Sequence, residues 1–150
     1  MADQLVDSGI VSAKQDLGST LEDCIRGLAA ALLSAGRLSD VDTFVADVLA
    51  REAQGSTALP GGVALPHARS NGVLTASVAI ASLPAPITEA GQEIDLVFLL
   101  AVPGDQSDRY LGLLRTVTTA VVKPGFRADC RDADSAQVLA HLAAAGFGTR

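Results

Sequence analysis

Ile94–Val102, IDLVFLLAV, is the stretch that decides the fold, because it is apolar at almost every position. A strand with one solvated face alternates apolar and polar residues. A run without alternation is typical of a central strand that is covered on both faces. Helices are therefore expected above and below the sheet. Pro103, Gly104 and Asp105 follow the run and predict a loop.

A second strand is predicted before this one, from Thr75 to Leu83. Its sequence, TASVAIASL, is short and rich in β-branched and small residues, which favours a strand. Pro84 and Pro86 come next and are expected to end it, because proline donates no backbone hydrogen bond to a sheet.

Two amphipathic helices are predicted in the first third of the chain. Ser19 with Glu22 resembles a capping box at the start of the first helix, which ends at Gly36. Ser39 with Asp42 repeats this device at the start of the second helix. The residues expected to face the core are Leu21, Ile25, Leu28 and Leu32 in the first helix and Val41, Phe44, Val45, Val48 and Leu49 in the second.

Two further helices are predicted after the central strand. Ser107 or Asp108 caps the third, which ends at residues 123–125, and the last runs from Ser135 to Ala145. Their inward residues are predicted to be Tyr110, Leu111, Leu114, Val117 and Val121 in the third helix and Val138, Leu139 and Leu142 in the last. Helices and strands alternate, and two helices precede the main strands. The predicted fold is therefore α/β, a single domain over residues 1–150 with a mixed central β-sheet flanked by helices on both faces.

Composition and charge disfavour several functional classes. The 150 residues carry a formal net charge of −6, which argues against a nucleic-acid partner because phosphate backbones are bound by clustered Lys and Arg. The apolar runs are too short to span a bilayer and the first residues lack the pattern of a secretory signal, so a cytoplasmic protein without membrane insertion is expected. Cys24 and Cys130 lie far apart and form no CxxC, which fits two reduced thiols.

The common nucleotide and hydrolase motifs are missing from the sequence. It contains no GxxxxGK[ST] phosphate loop, no GxGxxG after a strand, no GxSxG and no HExxH. Its two histidines, His67 and His141, are not accompanied by carboxylates at metal-ligand spacing, so neither a metal site nor a cofactor is predicted. His141 lies in the last predicted helix and is interpreted as a surface residue without a role.

The segment Arg51–Ser70, REAQGSTALPGGVALPHARS, points to chemistry. Proline fixes the backbone just before His67, so Val63–Leu65 is predicted to be extended with the imidazole at its exit, on a proline-stiffened loop. Such a histidine is either an ordinary surface or core residue or a nucleophile, which attacks with one ring nitrogen while the other keeps its proton in a hydrogen bond. A phosphoryl group suits this nucleophile because its transfer needs positioning and charge neutralisation, for which Arg51 and Arg69 are candidates.

This segment, the strand after it, DLVFLLAVP (Asp95–Pro103) and SDRYLGLL (Ser107–Leu114) together resemble the enzyme IIA domain of the fructose and mannitol class of the bacterial phosphoenolpyruvate-dependent sugar phosphotransferase system. The resemblance covers nearly the whole chain. It implies a phosphotransferase component that accepts a phosphoryl group from the phosphocarrier HPr and passes it to the cytosolic IIB unit of a sugar transporter. By this resemblance His67 is the phosphoacceptor.

The resemblance also implies roles for the neighbours of His67. Arg51 corresponds to the arginine that opens the family motif and is expected to pair with the phosphoryl oxygens; the alternative is a surface arginine that complements a helix dipole. Ser56 and Thr57 line up with hydroxyl residues that donate to phosphate, or they form the turn. Arg69 contacts phosphate, recognises an acidic patch on a partner, or is solvated. Gly61–Gly62 is expected to be scaffold that permits a tight turn.

Tyr110 departs from the family pattern. Most members carry a second histidine immediately before the leucine that opens the third helix, whereas this chain has Tyr110 before Leu111. A phenol donates one hydrogen bond but stays neutral at cytosolic pH, so it supports a phosphoryl dianion less than a cationic imidazole does. Two hypotheses follow: a phosphocarrier for sugar uptake, or a regulatory module resembling nitrogen-type IIA proteins that signals by phosphorylation state or binds without transfer.

Overall fold

The computed structural model of the protein describes residues 5–147 and arranges six strands of that range in one mixed sheet. The strands are β1 (Val11–Ser12), β2 (Ala58–Leu59), β3 (Val63–Ala64), β4 (His67–Ser70), β5 (Ser77–Glu89) and β6 (Gln92–Pro103). β5 and β6 form an antiparallel hairpin, and β6 pairs on its other side with β3 and β4, which are both parallel to it. β1 runs parallel to β5, and β2 antiparallel to β3. The predicted mixed sheet is confirmed.

Helices cover both faces of the sheet, as predicted. They are α1 (Leu21–Ser34), α2 (Val41–Gln54), α3 (Ser107–Val121), α4 (Pro124–Asp132) and α5 (Ala136–Phe147). The fully buried side chains of β6 alternate between two cores: Val97 and Leu99 pack with α1 and α2, whereas Phe98 and Leu100 pack with α3, α4 and α5. Each such side chain contributes roughly 1.5–3 kcal/mol through burial. None of the helices within residues 5–147 is long and apolar enough to cross a membrane.

The first two helices are capped one residue later than predicted. Thr20 caps α1 and Asp40 caps α2, each accepting a hydrogen bond of 3.1 Å from the amide three residues on. Ser19 and Ser39 do not take this position, because the cap is the last extended residue whose oxygen reaches that amide. The backbone amide of Ser39 is tied to the carbonyl of Gly72 at 2.9 Å, before the helix begins.

The prediction that proline ends the third helix missed α4. α3 ends before Pro124, but Pro124 then occupies the first turn of a new helix, where its missing N–H would have no intrahelical partner. The predicted caps of α3 are also wrong. Ser107 and Asp108 lie inside the helix, because Gln106 occupies the cap position without a side-chain hydrogen bond.

Two residues predicted to face the core are exposed. Leu111 is 60% exposed and Val138 is 48% exposed. The buried stripe of α3 instead follows Leu113, Val117 and Val121 at intervals of one helical turn. In α5 the corresponding buried residues are Leu139, Ala143 and Phe147.

β5 does not end at Pro84 and Pro86, as the sequence predicts, but continues past both. Its register against β6 changes between Ser82 and Ile87, so the prolines lie in a bulge. β1 reaches no further along β5 than Ala81. No other described strand flanks the bulge on that side, and therefore the missing amide hydrogens cost no ladder hydrogen bond there.

β3 and β4 form one interrupted line beside β6. Ala64 pairs with Val97 and His67 with Leu100, so the register is the same before and after the interruption. The carbonyl of Pro66 accepts a hydrogen bond from the amide of Leu100 at 3.0 Å. The predicted extended segment before His67 is thus confirmed at β3. His67 itself begins β4 rather than lying on a loop, because the ladder to β6 resumes immediately after the proline.

Candidate functional site

His67 lies on an edge strand of the sheet. β4 pairs with β6 on one side, and no other described strand pairs with it. Side chains alternate along the line of β3 and β4, so His67 lies on the same face as Val63 and Leu65, which belong to the core under α3, α4 and α5. The residue as a whole is 5% exposed. Burial of this kind fixes the imidazole in one position.

One ring nitrogen of His67 is bound and the other is open. Nδ1 lies 2.7 Å from the carbonyl oxygen of Leu65. A carbonyl only accepts, so Nδ1 carries the proton and Nε2 carries the lone pair. Nε2 forms no hydrogen bond with residues 5–147, and the only fully buried side-chain polar atom without a partner in that range is Arg127 Nε. Nε2 therefore keeps contact with solvent, as a nucleophilic imidazole requires.

The surroundings of His67 keep its ring neutral. Burial lowers the pKa of His67 below its ordinary value near 6.5. The hydrogen bond to Leu65 raises the pKa, the positive charge of Arg51 lowers it, and the negative charge of Glu52 raises it. Because burial is the largest of these effects, the pKa is lowered overall and the imidazole is unprotonated at pH 7.

Tyr110, near the start of α3, packs against His67. The two ring centroids are 5.8 Å apart and the planes are tilted by 46°. Burial raises the pKa of the Tyr110 phenol above 10, while the charges of Arg51 and Arg69 act in the opposite direction. The phenol is therefore neutral at pH 7 and available as a hydrogen-bond donor.

Arg51 lies in the last turn of α2, close to both rings. Its Nη1 donates to the carbonyl of Gly55 at 2.9 Å, just beyond the helix end. Its charge acts on the pKa of both His67 and Tyr110, and it lines a cleft together with Tyr110. The helix-end contact uses one of its several N–H donors, so the guanidinium retains donors for an anion.

The hydroxyl groups predicted to donate to phosphate are engaged within their own loop. Ser56 Oγ accepts a hydrogen bond from the amide of Ala58 at 3.0 Å. Thr57 is buried, and its hydroxyl donates to the carboxylate of Glu52. These contacts correspond to the turn-forming alternative. A role for Ser56 and Thr57 toward a phosphoryl group stays a prediction.

The glycines before β3 form the predicted turn, and α4 holds it. Gly61 and Gly62 have φ of 99° and 83°, a conformation that side chains disfavour. Arg131 of α4 pairs with Asp95 at 2.9 Å and donates to the carbonyl of Gly61. Arg131 was missed in the sequence because α4 was missed. Nothing local to the glycine turn pointed to a residue 70 positions away.

Arg69 lies two residues after His67 and thus on the same face of β4. Its Nη1 donates to the carbonyl of Gly104, in the loop between β6 and α3, at 2.8 Å. The side chain is otherwise exposed. This hydrogen bond directs the guanidinium toward the start of α3.

Arg51, Arg69 and Tyr110 meet at one cleft beside His67. The cleft has a volume of about 460 Å³ and opens between α2, β4 and the start of α3. Asp47 and Ser70 form part of its wall, whereas Ser56 and Thr57 do not. Three of the predicted site residues thus line one cleft; His67 is not among its lining residues, but its ring packs against that of Tyr110.

The remaining candidate groups lie elsewhere. His141 is exposed on α5. Within residues 5–147 no group of three or more His, Cys, Asp and Glu side chains is placed to hold a metal ion. Cys24 and Cys130 are free and buried, one in each core, and burial raises the pKa of their thiols to about 11 and about 12.

Comparisons with known proteins identify relatives of the chain. Residues 4–144 match the family model for the phosphoenolpyruvate-dependent sugar phosphotransferase system, EIIA 2. The chain is 32% identical over 123 residues to the PTS system 2-O-alpha-mannosyl-D-glycerate-specific EIIABC component of Escherichia coli. That match covers 79% of this chain and 19% of the relative, so the chain spans about a fifth of that protein's length.

Relatives with a regulatory name are also found. The chain is 33% identical over 103 residues to the nitrogen regulatory protein of Pseudomonas aeruginosa, covering 67% of each. Its fold is similar to the crystal structure of nitrogen regulatory protein IIA-Ntr from Neisseria meningitidis. The TM-score is 0.80 at 23% sequence identity, over 93% of this chain and 96% of the other.

Proposed function

Because the chain belongs to the EIIA 2 family of the phosphoenolpyruvate-dependent sugar phosphotransferase system, we propose that it is a phosphocarrier for sugar uptake. His67 accepts a phosphoryl group from HPr and passes it to a IIB partner. The observation that supports this most is the hydrogen bond from Nδ1 of His67 to the Leu65 carbonyl, which leaves the lone pair on Nε2. Transfer to a cytosolic IIB unit places this function in the cytoplasm.

The first transfer is a displacement at phosphorus. The lone pair of Nε2 forms the new N–P bond while the bond from phosphorus to the histidine of HPr breaks, and that histidine leaves with the electron pair. Nδ1 keeps its proton and donates it in the hydrogen bond to the Leu65 carbonyl, so the phosphorylated ring is cationic and is a good leaving group for the next step. A nucleophile of the IIB partner then takes the phosphoryl group and restores the neutral ring.

The residues around Nε2 supply charge and orientation. The guanidinium of Arg51 neutralises the phosphoryl oxygens, Arg69 adds a second positive charge, and the Tyr110 phenol donates a hydrogen bond. Docking of the partner aligns the two reacting nitrogens and excludes water, and this alignment supplies most of the acceleration. The edge position of β4 leaves the site open to such docking.

Intact-mass measurement tests the proposal. The protein is incubated with phosphoenolpyruvate, enzyme I and HPr, and is expected to gain the mass of one phosphoryl group. His67→Ala is expected to show no gain. His141→Ala is the matched control, because it removes the only other histidine from an exposed position, and it is expected to be labelled like the wild type. Labelling of His67→Ala, or no labelling of the wild type, contradicts the proposal.

A regulatory function is the second candidate. Tyr110 in the place of the family's second histidine favours it, and so does the similarity to nitrogen regulatory proteins. The two functions differ in whether the phosphorylated protein passes its phosphoryl group to a IIB protein. To test this, the labelled protein is mixed with candidate IIB proteins and its intact mass is measured again. Loss of the added mass supports the carrier. Retention of the mass supports a protein that signals by its phosphorylation state.

A further inference from the structure

The pairing of β2 with β3 continues by half of one further residue pair. Ala58 lies opposite Ala64, so Thr57 and Leu65 are the next residues along this antiparallel ladder. Residues of a hydrogen-bonded antiparallel pair normally exchange two N–H···O bonds. The amide of Leu65 donates to the carbonyl of Thr57 at 3.2 Å, but the return bond, from the amide of Thr57 to the carbonyl of Leu65, is not formed between these two described residues.

Glu52, in the last turn of α2, accepts from the amide of Thr57 instead. Its Oε2 accepts from this amide at 3.3 Å, and its Oε1 accepts from the hydroxyl of Thr57. A carboxylate has two acceptor oxygens, so it satisfies both donors of one residue. Thr57 is 7% exposed, and a buried amide without an acceptor is costly. The carboxylate of Glu52 therefore replaces the Leu65 carbonyl as the acceptor for this amide.

The carbonyl of Leu65 is thereby left to the imidazole of His67. It accepts from Nδ1 at 2.7 Å, and both residues are buried. A bond from the Thr57 amide would compete for the same oxygen. The tautomer of a histidine is set by the hydrogen bond that its bound nitrogen makes. Contacts from Glu52 to Thr57, from Thr57 to Leu65 and from Leu65 to His67 thus connect the end of α2 to the ring.

The end of α2 is a fixed starting point for these contacts. Phe44 and Val48 of this helix are fully buried in the core. At its last turn the carbonyl of Glu52 accepts from the amide of Gly55 at 3.1 Å. Arg51 precedes Glu52, so the same turn carries the guanidinium that acts on the ring and the carboxylate that is connected to it.

We propose that Glu52 is a positioning residue for His67. Its carboxylate binds the amide and the hydroxyl of Thr57, leaves the Leu65 carbonyl to Nδ1 of His67, and so keeps the lone pair on Nε2. The inference rests on the proposed phosphocarrier function, because Nε2 is the atom that accepts the phosphoryl group there. Glu52 acts through Thr57 and Leu65 and not on phosphorus.

Two substitutions separate the reach of Glu52 from its charge. Burial is the largest influence on the pKa of His67 and lowers it, whereas the charge of Glu52 raises it. Glu52→Asp keeps the charge but withdraws the carboxylate from Thr57 by one methylene group. Glu52→Gln loses the charge but keeps the reach, since its oxygen can accept from the Thr57 amide and its NH₂ can donate to the Thr57 hydroxyl oxygen. Positioning requires the reach.

NMR of the ring nitrogens in the unphosphorylated full chain at neutral pH measures the tautomer. The His141→Ala background leaves His67 as the only histidine. We expect the proton on Nδ1 alone in this background and in its Glu52→Gln variant, and a mixture of both tautomers in its Glu52→Asp variant. A proton on Nδ1 alone in the Glu52→Asp variant overturns the proposal. So does a mixture in the Glu52→Gln variant.

The rate of labelling by phosphorylated HPr is the second measurement. Glu52→Asp is expected to slow it by roughly tenfold or more, because the lone pair is no longer aligned with phosphorus, and Glu52→Gln is expected to retain most of it. Glu93→Asp is the matched control: it shortens a glutamate that is exposed on β6 and forms no ion pair with described residues. Equal slowing in Glu93→Asp and Glu52→Asp overturns the proposal.

The tautomer is measured without HPr, so this inference and the function on which it rests fail separately. If Glu52→Asp changes the tautomer but the wild type gains no mass, the phosphocarrier function is refuted and the positioning of His67 by Glu52 stands. If the wild type gains mass while Glu52→Asp keeps the wild-type tautomer and rate, the positioning is refuted and the phosphocarrier function stands.

Discussion

Pro66 and the pair Pro84 and Pro86 interrupt strands on opposite sides of β6, with different results. Across Pro66 the register is unchanged: from Ala64 to His67 the chain advances three residues, as β6 does from residue 97 to 100. Across the other two prolines the chain advances five residues, from 82 to 87, while β6 moves only two, from 96 to 94.

The hydrogen bonds to β6 distinguish the two cases. In a parallel pair only alternate residues bond the neighbour, and the carbonyl of Pro66 accepts from Leu100 at 3.0 Å. The nitrogen of Pro66 faces the same side but has no hydrogen to donate, so the line lacks one hydrogen bond to β6 and keeps its register. In β5 the prolines bulge outward and border a cleft of about 460 Å³ with Asp16 and Ser19. Pro66 leaves the register unchanged and positions His67. Pro84 and Pro86 lie where the register changes, and they line a surface cleft.

The largest expected effect is on the free energy of unfolding, at β6, with which both proline-containing lines of strand pair. Phe98 is fully buried, with its ring centroid 6.1 Å from that of Phe126 and 6.3 Å from that of Phe147. Phe98→Ala is expected to lower the free energy of unfolding by about 3–5 kcal/mol, measured by denaturant titration. Leu111→Ala, at an exposed position, is the control and is expected to change it by less than about 0.5 kcal/mol. Similar losses in both variants would contradict the observed burial.

The rate at which His67 is phosphorylated is expected to depend on Pro66 and not on Pro84. Pro66→Ala frees the backbone that aligns the Leu65 carbonyl with Nδ1, so the rate of labelling by phosphorylated HPr is expected to fall by roughly tenfold or more. Pro84→Ala is expected to be labelled at the wild-type rate. Intact-mass time courses measure both. Equal rates for the two variants would remove the distinction between the two prolines.

Tyr110→His is expected to have a smaller effect on the same rate. A cationic imidazole stabilises a phosphoryl dianion better than a phenol does, by roughly 1 kcal/mol, which corresponds to about fivefold faster labelling or a longer-lived phosphohistidine. Tyr110→Phe, which keeps the ring but removes the hydroxyl, is the control and should act in the opposite direction. An unchanged rate in both variants would remove Tyr110 from the mechanism.

The smallest expected effect is a dependence of stability on pH at β4. The pKa of His67 is lowered by burial in the folded protein, so the unfolded chain, with a pKa near 6.5, binds the proton first. The contribution of His67 to the free energy of unfolding is therefore complete above pH 6.5 and is lost as the pH falls below it. Denaturant titrations at several pH values measure this. His67→Gln should lack this part of the dependence, and an identical profile in both proteins would contradict the lowered pKa.

Local patterns in the sequence predicted most of the fold. The apolar run of β6 and the apolar stripes of α1 and α2 depend only on residues close together in the chain, and the elements that they predict are confirmed. The wrong predictions arose where two adjacent residues could both cap a helix, or where one residue type occurs both at the start and after the end of a helix. Thr20 was available beside Ser19 as a cap, and Pro124 begins a helix as readily as it ends one.

The candidate site depended on non-local contacts that periodicity does not encode. His67, Arg51 and Tyr110 were singled out through a family resemblance, and their proximity requires the register of β4 on β6. Arg131, which holds the glycine turn, had no signal in the sequence. The hydrogen bond from His67 to Leu65 spans only two residues, with Pro66 between them, and no helix or strand period predicts it.

The burial of both cysteines has a practical consequence for following partner docking. Their raised pKa values, about 11 and about 12, leave almost no thiolate at neutral pH. The two native cysteines are therefore expected to react very slowly with maleimide reagents. A cysteine introduced at exposed Arg115 would take up a fluorophore alone, and its emission would follow the approach of a partner to α3 in real time.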